Sequence, residues 1–215
     1  MAMLKICAVL TGDLVGSTQA SSADAERAMA ALQEAARGIE RWIDSETRFT
    51  RFRGDGWQIL LDDPRFSLQA IVAIIAELVA ADTGLETRIA IGFAPIDRIG
   101  TTDLSDASGE AFSRSGHALD AMTRRERITL AGPVVERWHE ALFSLTAWTA
   151  NRWTAAQAEA VALLVHQKAR TQVDMAPMLS ISPQAVSKRL ASAGWEQVAG
   201  AIEAVKEHDW KANHD

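Results

Sequence analysis

The apolar positions change period several times along the chain, and each change predicts an element. Leu4 to Leu10 is a short apolar run closed by Gly12, so residues 5–11 read as a buried strand. Ser21, Ser22 and Asp24 then offer capping oxygens, and Met29, Leu32, Ala36, Ile39 and Ile43 recur at helical spacing, which predicts a helix over 23–43. Residues 47–53 and 57–61 read as two strands around Asp55-Gly56, a dipeptide that favours a two-residue hairpin turn. A more apolar helix is predicted over 66–81, closed near Gly84. Between 86 and 95, Thr87, Ile89, Ile91 and Phe93 alternate with Arg88, Ala90 and Gly92, the period of a strand.

Residues 96–108 turn polar and loop-like, and a helix over 109–124, a short strand over 127–130 and a helix opened by Pro133 and running through Trp148 follow. This order predicts an α+β fold on the ferredoxin-like plan, a sheet rich in antiparallel pairs with its helices on one face. Residues 1–150 form that domain and residues 151–215 a small all-α domain.

Composition narrows the class. With 215 residues and 48% hydrophobic content, the chain can bury a sizeable core. No apolar stretch reaches the roughly 18 residues of a membrane span, and the start lacks the pattern of a secretory signal. The single cysteine, Cys7, falls in the first apolar run and reads as a core residue, which fits a cytoplasmic protein. Residues 151–215 carry seven basic and seven acidic side chains, so the whole net charge of −6 belongs to the first 150. That acidity argues against indiscriminate nucleic-acid binding and leaves room for a local basic face.

The chemistry concentrates in two glycine-flanked carboxylates. Asp13 lies in Thr-Gly-Asp-Leu-Val-Gly-Ser-Thr at 11–18, and Asp55 lies in Arg-Gly-Asp-Gly-Trp at 53–57. Each alone is ordinary turn chemistry. Together, on adjacent strand ends, they can place two carboxylates at one edge of a sheet, where Mg²⁺ or Mn²⁺ and a phosphate chain could lie between them. Gly16, Ser17 and Thr18 would let backbone N–H groups approach phosphate oxygens at the mouth of a helix.

These motifs resemble the metal-binding pair of the class III nucleotidyl cyclases. The resemblance implies Asp13 and Asp55 as catalytic metal ligands, with the Leu14 carbonyl as a third. It also implies Leu14, Val15, Gly16, Ser17 and Thr18 as the phosphate-facing turn, and Arg51 at the place of a base-reading lysine. The chain departs from the cyclases where they carry an Asn-x-x-x-Arg pair, because Ser113 and His117 stand at those positions and Arg114 is one residue out of phase. A closer resemblance is to the SatD family of bacterial proteins, carried by Gly-Asp-Leu-Val-Gly-Ser at 12–17, Phe-Arg-Gly-Asp-Gly-Trp-Gln at 52–58 and Gly-Glu-Ala-Phe-Ser-Arg-Ser-Gly-His-Ala-Leu at 109–119.

The tail predicts a helix over 154–168, a second over 171–179, a turn at 180–182 and a third helix over 183–190. It resembles the helix-turn-helix of sigma-factor region four, with Ala176 and Ile181 packing the turn and Val186 and Leu190 anchoring the last helix. Ser182, Gln184, Ala185, Lys188 and Arg189 are the outward, DNA-reading candidates. Pro177 is an awkward residue for the second helix, since it lacks a backbone donor. Trp195 and Trp210 read as core or interface.

The expected function is a cytoplasmic, homodimeric DNA-binding regulator whose cyclase-like domain holds a metal-complexed nucleoside triphosphate or related phosphate ligand. The alternative is a nucleotidyl cyclase or transferase that uses two metals.

Overall fold

The computed structural model describes residues 5–42, 47–52, 54–166 and 171–211. The helix ends expected at Ile43 and Lys168, and Arg53 of the second carboxylate motif, lie outside them. In chain order the elements are β1 (Cys7–Val15), α1 (Ser22–Trp42), β2 (Thr47–Arg51), β3 (Gly56–Leu61), α2 (Ser67–Ala80), β4 (Glu86–Ala94), α3 (Glu110–Ala121) and β5 (Ile128–Ala131). They continue as α4 (Arg137–Ala150), α5 (Ala155–Val165), α6 (Gln172–Met178), α7 (Pro183–Ser192) and α8 (Trp195–Glu207). The fold is α+β, built on a five-stranded mixed sheet in the order β2-β3-β1-β4-β5. The first four strands pair antiparallel, and β5 joins β4 in parallel.

Two boundaries move from their sequence positions. The first strand runs past Gly12 to Val15, because Asp13, Leu14 and Val15 pair with Arg88, Thr87 and Glu86 of β4. Gly12 makes this possible: a Cβ there would sit 2.4 Å from the Trp57 indole. The β2–β3 link is also longer than the expected two-residue turn. It is closed by the Phe52 amide donating to the Gly56 carbonyl at 2.9 Å, and Gly54 takes the left-handed position at φ 85°.

Alternation along the strands sends side chains to two layers. Ala8, Leu10 and Leu14 of β1 join a large core with Leu32 and Ile39 of α1 and Leu68, Ile71 and Ile74 of α2. Cys7, Val9 and Leu60 point the other way, into a smaller core with Leu104 and with Ala111 of α3. Helices therefore cover both faces, which corrects the expectation of helices on one face only. The reason is partly hidden in the sequence. Only Ala111 and Ser115 of α3 are buried, and the helix lies so close to β4 that a Cβ on Gly92 would meet the Ala111 carbonyl at 2.1 Å. Ile96, Ile99 and Leu104 of the polar-looking loop supply the remaining apolar cover.

The Cys7 thiol is buried as expected, and burial together with Asp62 pushes its pKa up to about 11. Among the described residues no helix is long and apolar enough to cross a membrane.

Helix α2 is buried on nearly every side, from Ser67 through Ala76 and at Leu78. Its outer flank is covered by the tail. Ala158, Val161 and Val165 of α5 and Ile202 and Val205 of α8 belong to the same core as the sheet. The Gln69 amide donates to the Val165 carbonyl at 3.0 Å. Phe93 of β4 stacks on Trp210 with ring centroids 4.6 Å apart. The expected boundary at residue 150 coincides with the end of α4, and the core crosses it.

Gly38 on α1 marks the closest approach of this layer, since a Cβ there would lie 2.0 Å from His166 Nδ1. In an open helix Gly→Ala gains about 1 kcal/mol, whereas forcing atoms into a packed core costs about 1–3 kcal/mol. His166 is buried beside Glu77, at 3.2 Å, and has little room to retreat, so the cost prevails. Gly38→Ala is expected to lower Tm by about 2–6 °C in thermal melts followed by circular dichroism; an unchanged or higher Tm would contradict this packing.

Candidate functional site

Asp13 and Asp55 meet at one end of the sheet. Asp13 lies opposite Gly56 of β3, the residue after Asp55, and opposite Arg88 of β4. The Leu14 amide donates to the Asp55 carbonyl at 3.3 Å, and the Ser17 hydroxyl donates to the Asp55 carboxylate. Gly16 adopts φ 84°, and its carbonyl accepts from Gln19 and Ala20 at 3.0 and 3.1 Å, which folds the turn back toward Asp55.

Arg88 is the site residue that the sequence did not single out. Its Nε donates to Asp13 Oδ1 at 2.9 Å, and a terminal nitrogen donates to Oδ2. Both groups are about three-quarters buried. The hydrogen bond to Asp13, and more weakly the charge of Asp55, raise the proton affinity of Arg88 further. The guanidinium thus pairs with Asp13, while the Asp55 carboxylate accepts from Ser17. The only sequence sign of it was the inward period of residues 86–95, which placed Arg88 on the face opposite Ile89 and Ile91 without saying what it meets.

Behind this edge the backbone of Asp13 is held rigidly. The Trp57 indole N–H donates to the Thr87 hydroxyl at 3.0 Å, and that hydroxyl donates to the Asp13 carbonyl at 2.8 Å. One step along β1, the Gln58 amide donates to the Thr11 hydroxyl at 2.8 Å. Thr11 in turn lies 2.8 Å from the Ser115 hydroxyl, which bonds the Phe112 carbonyl at 3.0 Å. A buried polar chain therefore ties β3, β1 and α3 together beneath the carboxylates.

The remaining expected ligands are placed less favourably. Leu14 is buried within β1, and Val15 ends the strand opposite Glu86. Ser17 and Thr18 precede α1 by several residues, and that helix has its own cap in Ser21, which accepts from the Asp24 amide at 3.1 Å. The turn is therefore not the mouth of the helix, which corrects that expectation. Arg51 points to the other side of the sheet and forms a bidentate pair with Glu26 of α1 at 2.8 and 2.9 Å, so it does not join the site. On α3, Ser113 and His117 face solvent and Arg114 pairs with Glu110.

The three helices expected in the tail form in order as α5, α6 and α7, and α8 follows them. Thr171 caps α6 and Ser182 caps α7, each accepting from the amide three residues on, at 3.1 and 3.2 Å. Ser180 takes φ 55° in the turn, and the Ile181 amide closes it onto the Ala176 carbonyl at 3.1 Å. Pro177 is tolerated because α6 ends one residue later. Met175, Ala176, Val186 and Leu190 are buried, while Ser182, Gln184, Ser187 and Lys188 are exposed and Ala185 is half-buried. Arg189 is a correction. It turns back to α5, 3.4 Å from the Ala156 carbonyl and 3.6 Å from Glu159, and so does not face outward.

Two further features could hold ligands. Glu136, His139 and His208 converge at the start of α4. The His139 ring is neutral, its pKa held down at about 4 by burial and then by His208. A groove of about 980 Å³ lies between β5 and α4, with Arg125, Arg127, Arg137 and Arg152 on its walls and the Arg152 guanidinium 3.8 Å above the Trp148 ring. Scans against protein-family models and curated proteins match nothing to this chain.

Thr87→Val keeps the shape of the support behind Asp13 and removes its hydroxyl. The buried Trp57 N–H would then lack its acceptor, at a cost of about 1–3 kcal/mol. Urea unfolding is expected to show that loss; a smaller effect than Thr83→Val, whose hydroxyl accepts from the Leu85 amide at 3.3 Å in an exposed loop, would contradict it.

Proposed function

We propose that the protein is a cytoplasmic, homodimeric DNA-binding regulator of the SatD type, and that its sheet end receives a metal-complexed nucleotide or related phosphate ligand. The strand order β4-β1-β3-β2, antiparallel throughout and linked by two helical crossovers, supports a ferredoxin-like, cyclase-like plan. A single buried cysteine suits a reducing compartment. Leu145 and Trp148 expose apolar surface on α4 that a two-fold partner could cover.

The observation that carries the ligand reading is the Arg88–Asp13 pair beside Asp55. A bare anion would take Arg88 and strand Asp13, and a bare cation would take Asp13 and strand Arg88. A half-buried charge left unpaired is costly. A divalent ion bound to phosphate carries both signs: the ion replaces Arg88 at Asp13 and Ser17 at Asp55, and the freed guanidinium receives a phosphate oxygen. Mg²⁺ and Mn²⁺ are the cations this oxygen-only set suits. The solvent-facing Ser113 and His117 offer no guanidinium for a transition state, which favours a binding site over the alternative of nucleotidyl cyclase or transferase chemistry.

The DNA reading rests on α7, whose exposed Gln184, Ser187 and Lys188 stand opposite the buried Val186 and Leu190. Gln reads adenine edges and Lys neutralises phosphate. Selection from random duplexes, followed by affinity measurements with and without each nucleoside triphosphate and Mn²⁺, tests both halves. Lys188→Ala is expected to weaken binding to all sequences and to reduce the salt slope by about one, and Gln184→Ala to cost about 1–3 kcal/mol on the selected site. One triphosphate is expected to shift DNA affinity in the wild type and not in Asp13→Asn. Affinity indifferent to every triphosphate would sink the ligand half, and no duplex bound more tightly than by Lys188→Ala would sink the DNA half.

A further inference from the structure

Side chains from two distant parts of the chain meet at the first turn of α4. Glu136 is its N-cap, His139 lies three residues on, and His208 follows the end of α8. One ligating atom from each lies within 4.8 Å of the other two. The His139 and His208 rings meet edge to face with centroids 4.6 Å apart. Trp210 closes the cluster at 4.8 Å from His139 and 5.0 Å from His208. Trp138 stacks on His139 at 3.7 Å.

His139 itself is held by one bond. It is fully buried, and its Nδ1 accepts the Glu136 amide hydrogen at 2.9 Å. That bond puts the ring proton on Nε2, a buried donor with no hydrogen-bond partner, and leaves Nδ1, beside the N-cap residue, as the ring's lone-pair atom. The donor set is two imidazoles and a carboxylate, which suits a zinc-like ion in four-fold coordination and is unlike the all-oxygen octahedron that Mg²⁺ requires. The buried Trp210 supplies an apolar wall on one side.

We propose that Glu136, His139 and His208 form a site for a divalent transition-metal ion of the zinc type, with solvent completing the coordination. On loading, Nδ1 would exchange the Glu136 amide hydrogen for the ion, and Nε2 would keep its proton. The Glu136 amide would then turn to solvent at the exposed N-cap. The ion would fasten the segment after α8 to the start of α4. This site is distinct from the Asp13–Asp55 edge and does not depend on that reading.

The test uses the full-length chain stripped with a chelator. Titration with Co²⁺ should give visible bands of a four- or five-coordinate ion at about one ion per chain, displaced by Zn²⁺. Zn²⁺ should also move the Glu136 amide resonance. Glu136→Gln, at an exposed position, and His208→Gln, at a half-buried one, should keep the wild-type circular dichroism and weaken Zn²⁺ by more than about tenfold. Absence of stoichiometric Co²⁺ binding, or binding that survives undiminished in His208→Gln, would overturn the proposal.

Discussion

Helix α2 can face water on almost no side. Its residues from Ser67 to Ala76 are buried, and Leu78 with them. A helix apolar all round is stable only when surrounded. The sheet covers one flank, α1 and α4 cover others, and α5 and α8 complete the enclosure. Fully burying each leucine or isoleucine contributes about 1.5–3 kcal/mol, so leaving a flank of α2 open would cost more than a typical domain's margin of stability allows. The helical tail is thus a structural layer of the sheet domain as well as a candidate DNA reader. Val186 and Leu190 of α7 belong to the same core as the sheet.

The sheet was largely legible because strands and helices announce themselves by period. Residues 86–95 alternate cleanly, and α1 keeps its apolar stripe from Ala28 to Ile39, about three turns. The helices expected over 171–179 and 183–190 match α6 and α7 to within a residue or two, and in the structure Thr171 and Ser182 accept from their first-turn amides. Helix α8 carries Val198, Ile202 and Val205 at helical spacing, so its signal was present and went unassigned. What the period could not show was the second layer. Glycine contributes nothing to a hydropathy pattern, yet Gly92 is the residue that lets α3 lie against β4.

At the candidate site the carboxylates were legible and their partners were not. Asp13 and Asp55 stand out because glycines flank them. Arg88 meets Asp13 only through cross-strand register, 75 residues away, and its neighbours in sequence give no hint of the pairing. The same limit explains Arg51 and Arg189. Both looked available from their own segments, and both are engaged by glutamates on helices elsewhere, Glu26 on α1 and Glu159 on α5. A side chain's identity is local information, whereas its occupation is tertiary.

The stacking of Trp210 on Phe93 bears on how the chain is made. Phe93 sits on a strand that borders the main core, and its cover is supplied by a residue translated more than a hundred positions later. A ribosome adding about 5–20 residues per second leaves that apolar face uncapped for several seconds. The slower that stretch is translated, the longer the young sheet carries an open apolar face.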